Sequence, residues 1–246
     1  MSPRDPSAGR RYLAITQALL ARLVEDEWPN ISAAADLLAD TVERGGTIHA
    51  FGTGHSHMLA EELFYRAGGL VSVSPILFEG LMLHVSAPLS TALERMAGLA
   101  AALLEDHPIA SGDVLIVASN SGSNAVTSEL AQAARRVGAP VIALTSLRHA
   151  TSSAARATAL PRLHEVADVV IDNGGCVGDA SVQVEGFDRS VAPTSTVVGA
   201  AILNAMAAEA VERLVARGFV PDVYTSSNVE GGDIANARFP HPGGVR

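Results

Sequence analysis

The sequence contains no lysine: all 17 basic residues among its 246 are arginines. That absence excludes Schiff-base chemistry, a pyridoxal phosphate anchor and a Walker A loop, each of which needs a lysine amine. Cysteine is nearly absent. With Cys176 alone, no intramolecular disulfide can form and a cysteine zinc site lacks its ligands; the expected compartment is the cytoplasm. Aromatic residues make up only 4%, so the core must be aliphatic, and the abundant alanine predicts closely packed helices. No apolar run is long enough to cross a bilayer, and residues 1–11 carry arginines with no apolar stretch behind them. Neither a membrane anchor nor a signal peptide is expected. There is no block of arginines, and the net charge is −9, which argues against non-specific nucleic-acid binding. An anionic ligand would need local donors, which the backbone amides at helix starts supply.

What is present is a globular composition, 48% hydrophobic and 17% charged, in a chain long enough for one large α/β domain. We expect a single domain over residues 1–246: a helical extension at 10–45, a core at 46–220 and an irregular tail at 221–246, frayed over 239–246. Leu13, Leu19, Leu20, Leu23 and Val24 share one side of a helix over 12–27. Pro29 interrupts it. A second helix over 31–44 carries Ile31, Ala34, Ala35, Leu38 and Val42 and stops at Gly45-Gly46. The pair is either an oligomerisation element or plain cover for a sheet edge. Strands at 47–51, 70–77, 113–118, 140–145 and 166–172 then alternate with helices at 56–67, 91–105 and 123–137. Apolar runs without strict alternation suit strands buried on both faces. The expected fold class is α/β, a three-layer αβα sandwich around a five-stranded parallel sheet. Residues 173–193 are Gly-rich and polar, with a short hairpin at 181–185, and a long Ala-rich helix follows at 195–217.

Ligands of parallel sheets bind beyond the carboxyl ends of the strands. Two such ends are marked. The first strand runs into Gly52-Thr53-Gly54-His55-Ser56-His57, the third into Ser119-Asn120-Ser121-Gly122-Ser123-Asn124, and each leads directly into a helix. Small residues let the backbone approach an anion, while hydroxyls and amides donate to it. A dinucleotide fingerprint is a poor reading, because His57 stands where the third glycine would be and no acidic residue closes the second strand at the required spacing. Either loop alone is explained as an N-capping turn. Together, on neighbouring strands, they describe a site for a phosphate and the sugar attached to it.

A strand-Gly-x-Gly-x-Ser-helix followed by strand-Ser-x-Ser-Gly-helix resembles the SIS (sugar isomerase) domain, with its flavodoxin-like sheet, over about residues 30–220. The stretch from Phe51 to Arg66 is similar to an uncharacterised SIS family and to phosphoheptose isomerases, which share an Ala-Glu-Glu-Leu segment. The resemblance implies Glu62 as the catalytic base, with Glu61 a solvated neighbour. Consecutive helical residues point about 100° apart, so only one of the two faces a common site. It also implies phosphate contacts from Ser119, Ser121 and Asn124, the last where relatives carry serine, with Asn120 between them and Gly54, His55 and Ser56 on the sugar side. Where some phosphoheptose isomerases place a zinc-binding histidine this chain has Met58, so neither a metal nor any other cofactor is expected. The pair His57 and Glu61, four residues apart, is too small a ligand set by itself. His84 is either a second acid/base, reaching a neighbouring subunit, or a buried, satisfied histidine; His149 and His164 read as surface loop residues.

The long C-terminal helix lacks the catalytic histidine of phosphoheptose isomerases. Its segment from Pro193 through Leu203-Asn204-Ala-Met206 is similar to the Thr-…-Leu-Asn-Met pattern of N-acetylmuramic acid 6-phosphate etherases. Isomerisation of the glucosamine-6-phosphate synthase type needs the lysine this chain lacks. The expected activity is therefore C2 proton abstraction from an amino-sugar 6-phosphate such as N-acetylglucosamine 6-phosphate, with elimination at C3. An aldose–ketose isomerase and a non-catalytic sugar-phosphate sensor are the alternatives. The expected partners are that small molecule and further copies of the chain, as a homodimer or larger oligomer.

Overall fold

The computed structural model describes residues 6–155 and 159–239. Its centre is a five-stranded parallel sheet in the order β2-β1-β3-β4-β5: β1 Ile48–Gly52, β2 Val73–Ile76, β3 Val114–Ala118, β4 Val141–Thr145 and β5 Val169–Asp172. Every residue of β3 is buried, and successive side chains serve two different cores. Val114, Ile116 and Ala118 pack with Ile31, Leu38, Leu59, Ile202 and Met206 on one side. Leu115 and Val117 pack with Val126, Leu130 and Leu163 on the other. This two-sided burial is why the strands read as continuous apolar runs.

Helices α1 (Ala8–Arg22), α2 (Trp28–Glu43), α3 (His57–Leu63) and α9 (Ser195–Ala216) cover the first side. Helices α5 (Leu99–Asp106), α6 (Ala125–Arg136) and α8 (Leu163–Val166) cover the second. Two further short helices stand at the carboxyl edge, α4 (Leu83–Leu93) and α7 (Leu147–Ala150). The expected three-layer fold is the observed one.

Several boundaries differ from the sequence pattern for physical reasons. Pro29 does not interrupt the N-terminal helix. A π-helical turn, Leu23–Glu27, joins α1 to α2, so the proline falls at the start of the second stretch, where its missing N–H leaves no hydrogen bond broken. Helix α3 ends at Leu63 rather than at 67. Phe64 is extended, Tyr65 has φ 44°, and the Tyr65 ring packs edge-on against Tyr224 at 4.8 Å. The helix expected over 91–105 is two, α4 and α5, separated at Gly98, whose φ is 84°.

The tail is not simply irregular. Tyr224 and Asp222 exchange backbone hydrogen bonds with Gly68, Gly69 and Val71, which covers the chain at the free edge beside β2, and α10 (Gly232–Asn236) follows. Strand β6 (Ala180–Val182) pairs antiparallel with β7 (Val191–Pro193), so the expected hairpin at 181–185 is only one arm of a wider one. The fraying expected beyond Phe239 lies outside the described residues. No helix among the described residues is long and apolar enough to cross a membrane.

Candidate functional site

Strands β1 and β3 are hydrogen-bonded neighbours, with Gly52 opposite Ala118, but their helices leave to opposite sides of the sheet. The chain order reverses here, which opens a crevice between the two loops at the carboxyl edge. Close approach is built into both. A Cβ on Gly52 would lie 2.3 Å from the Ser56 carbonyl oxygen. Gly122 has φ 59° and sits against Leu163, where a Cβ would meet the leucine Cβ at 3.0 Å.

The β3 loop is shaped by its own side chains. Gly122 N donates to Ser119 Oγ (3.2 Å), and Ser123 Oγ lies 3.2 Å from Ser121 Oγ. The Asn120 carbonyl accepts from Ser146 N and from Thr145 Oγ1 (3.2 Å). Asn124 stands at the N-cap of α6 without capping it, since its side chain takes no hydrogen bond from the helix amides. The backbone amides of Ser121, Ser123 and Asn124 have no acceptor among the described residues. A capping side chain would take the amide of the second or third helical residue; here Val126 N goes to the Glu94 carbonyl instead, and the amides of Ser121, Ser123 and Asn124 stand just ahead of a helix start whose dipole favours an anion.

In the β1 loop, Gly54, with φ 57°, opens a 3₁₀ turn, Gly54–Ser56, that leads into α3. The amides of Gly54 and His55 are likewise free of acceptors among the described residues. Thr53 Oγ1 donates to Glu94 Oε2 (2.9 Å), and the Glu94 carbonyl accepts from Val126 N in the first turn of α6. Glu94 therefore bridges both loops, although nothing in its sequence context, at the C-cap of α4, marks it.

The titratable side chains fall into two groups. His57 is buried, with Nδ1 bonded to the Gly54 carbonyl and Nε2 3.6 Å from Glu61 Oε2. The His84 ring is 6.2 Å from it. His84 is exposed at the start of α4, not a buried, satisfied histidine, and His55, two residues before His57, is exposed as well. Glu62 belongs elsewhere. Its Oε1 accepts from Asn204 Nδ2 of α9 (2.8 Å) and its Oε2 from Arg66 (2.7 Å). It borders a cavity of about 510 Å³ floored by Leu38, Ile48, Val73 and Val211, residues near the amino ends of β1 and β2. The structure thus places Gly54, His55, Ser56, Ser119, Asn120, Ser121 and Asn124 just beyond the carboxyl ends of the neighbouring strands β1 and β3. His57, Glu61 and His84 group beside the β1 loop, and Glu62 lies about 8 Å along α3 from His57 at 1.5 Å per residue.

Two histidines are not the surface loop residues expected. His149 lies in α7 and accepts from Gly178 N (3.2 Å), and His164 lies in α8 with a buried, unpartnered Nδ1. Among the described residues no three His, Cys, Asp or Glu side chains group as a metal would require.

Comparison with known proteins agrees with this geometry. The SIS domain family profile matches residues 11–146. A UPF0309 protein of Listeria innocua is 46% identical over 92% of this chain and 91% of its own length. One from Geobacillus thermodenitrificans is 45% identical over 93% and 92%. A phosphoheptose isomerase from Francisella tularensis superposes with a TM-score of 0.51 at 16% identity, covering 82% of this chain and 95% of that one; this likeness is one of fold.

Proposed function

The chain belongs to the SIS domain family and to the UPF0309 proteins, and on that premise we propose that it is an enzyme that binds a sugar 6-phosphate in the β1/β3 crevice and takes the proton from C2 of the open-chain form. The observation that carries this reading is the unfilled donor set of the β3 loop. Amides at Ser121, Ser123 and Asn124, hydroxyls at Ser119 and Ser121, and the start of α6 lie within one six-residue loop, and the three amides have no acceptor among the described residues. A phosphate dianion supplies the missing acceptors. Gly54, His55 and Ser56 then face the sugar.

The family resemblance makes Glu62 the base in this reading, which requires the open-chain sugar to reach from the crevice along α3 to the cavity that Glu62 borders. Asn204 and Arg66 fix both of its oxygens, as a base held in one orientation by a third group requires. The Asn204 contact also links the two segments singled out in the sequence, Ala-Glu-Glu-Leu and Leu-Asn. A second reading, favoured by the contact of Glu61 with His57 and by the nearness of His84 to His57, makes Glu61 the base. In either case His84 is the acid. After C2 deprotonation, its proton goes to the departing O3. The C2–H and C3–O bonds break, a C2=C3 double bond conjugated with the C1 carbonyl forms, and water is released. An N-acetyl group at C2 disfavours the enediol shuttle of an isomerase, so N-acetylglucosamine 6-phosphate is the substrate proposed.

The test is incubation with that compound in heavy water, followed by NMR and mass spectrometry. Loss of one water with a new vinylic proton supports the lyase. A ketose product makes the protein an isomerase, and binding without C2 exchange makes it a sensor. Glu62→Gln and Glu61→Gln, assayed side by side, separate the two bases, because a neutral amide cannot accept the proton. The proposal extends to a cytoplasmic homodimer or larger oligomer, supported by exposed Met58, Val85 and Leu89 around the β1 loop and by Leu13 and Val24 on the N-terminal helix. A light-scattering mass of 25.3 kDa would refute the oligomer.

A further inference from the structure

The π-helical turn in the N-terminal helix does more than accommodate Pro29. In an α-helix, residues five apart point about 140° away from each other at 100° per residue. The wider π-turn brings such a pair to one side. Arg22 and Glu27 are that pair, and both hold Asp172 at the carboxyl end of β5. Arg22 donates to the Asp172 carbonyl (3.1 Å), to its Oδ2 (3.0 Å) and to Glu27 Oε1 (3.2 Å). Asp172 N donates to Glu27 Oε2 (3.2 Å). The second Asp172 oxygen accepts from Leu147 N and Gly174 N, both at 3.0 Å. All the hydrogen-bonding atoms of Asp172 are used, so its position is determined.

The next residue carries that order into the candidate site. Asn173 is 4% exposed. Its backbone N donates to the Thr145 carbonyl, its Oδ1 accepts from Gly175 N (2.8 Å), and its Nδ2 donates to Asn120 Oδ1 (2.8 Å). With its oxygen engaged, the Asn120 amide is left with its NH₂, and that group has no acceptor among the described residues. The end of the relay is therefore a donor presented beside the free amides of the β3 loop. Had Asn120 been oriented the other way, it would present an oxygen, which repels an anion.

We infer that Arg22 and Glu27 are positioning residues: through Asp172 and Asn173 they set the orientation of Asn120, so the N-terminal extension is part of the anion-binding loop's support. The ligand side of this inference rests on the phosphate reading above; the positioning side does not. The experiment uses the full chain and its ¹H–¹⁵N spectrum, with glucose 6-phosphate as the probe. Arg22→Met is expected to shift the Asn120 side-chain amide and the Ser121 backbone amide before any ligand is added, and to raise the Kd for the probe roughly 3–30-fold. Arg213→Met is the control. It cuts a comparable tie, from α9 to Ser32 of α2, and is expected to lower stability while leaving both signals and the Kd unchanged. A folded Arg22→Met whose Asn120 and Ser121 signals coincide with wild type overturns the inference, as does an equal shift in Arg213→Met. If Arg22→Met does not fold, Asp172→Asn, of the same shape, takes its place with the same two outcomes. Wild-type loop signals indifferent to glucose 6-phosphate would overturn the phosphate reading alone, because the ligand-free shift in Arg22→Met still decides the positioning.

Discussion

Strands β1 and β3 carry polar residues at both ends, and the two ends are built on opposite plans. At the amino end, Asp113 Oδ1 accepts from Thr47 N (2.8 Å), and Oδ2 accepts from Ala110 N (2.7 Å) and lies 3.3 Å from His49 Nε2. Apart from His49 Nδ1, which is buried without a partner among the described residues, the donors and acceptors find each other inside the protein. At the carboxyl end, the amides of Gly54, His55, Ser121, Ser123 and Asn124 stand without acceptors among the described residues. A buried polar group left unpaired is costly, so a cluster that satisfies itself serves the fold. One that stays open at a sheet's switch point is free to take a ligand as its partner.

Substitutions at the two ends sharpen that contrast. The largest expected effect is at the closed end: Asp113→Ala removes the acceptor of two part-buried backbone amides and the partner of buried His49, and should destabilise the protein by about 3 kcal/mol in urea unfolding. Its affinity for a sugar phosphate, measured on the folded fraction, should not change. Ser121→Ala should do the reverse. It weakens phosphosugar binding by roughly 1–3 kcal/mol if a charge-assisted donor is lost, with unfolding unaltered; unchanged affinity by calorimetry would remove the phosphate from this loop. Gly122→Ala affects both measurements. An L side chain at positive φ costs about 1–2 kcal/mol, and the clash with Leu163 displaces the loop, so stability and affinity should fall together.

The smallest expected effect is on pH dependence. Burial holds His49 below the ordinary imidazole value of 6.5, with nearby His107 acting in the same direction and the Asp113 hydrogen bond opposing. The unfolded chain therefore binds a proton that the folded chain resists. The His49 contribution is complete above pH 6.5 and is lost as the pH falls below that value towards the folded pKa. His49→Gln should flatten the slope of unfolding free energy between pH 6.5 and 5. An unchanged slope would show that another group dominates acid destabilisation.

The same contrast explains what could be read before any coordinates. The five strands were legible because burial on both sides forces unbroken apolar runs, as in Val114-Leu-Ile-Val-Ala. The two loops were legible because tight strand-to-helix turns near an anion demand glycine, serine and asparagine at adjacent positions. Boundaries fixed by distant contacts were not. Pro29 reads as a break, yet Arg22 and Glu27 gripping Asp172 favour a π-turn that carries the helix past it. The end of α3 depends on Tyr224, far along the chain. Glu94 and Asn173 carry no local signal at all, and Asn173 reaches Asn120 across 53 positions.

The sequence alone determined the layers, the parallel sheet, the chemistry excluded by the missing lysine and the two loops able to hold an anion. Each of these follows from local composition and periodicity, which act over a few residues. Only the tertiary structure decided which carboxylates stand where. It placed Glu61 with His57, Glu62 with Asn204, and Glu94 across both loops. Consecutive glutamates have the same local propensity, and what separates them is the 100° turn between neighbours on a helix and the identity of the elements packed against each side.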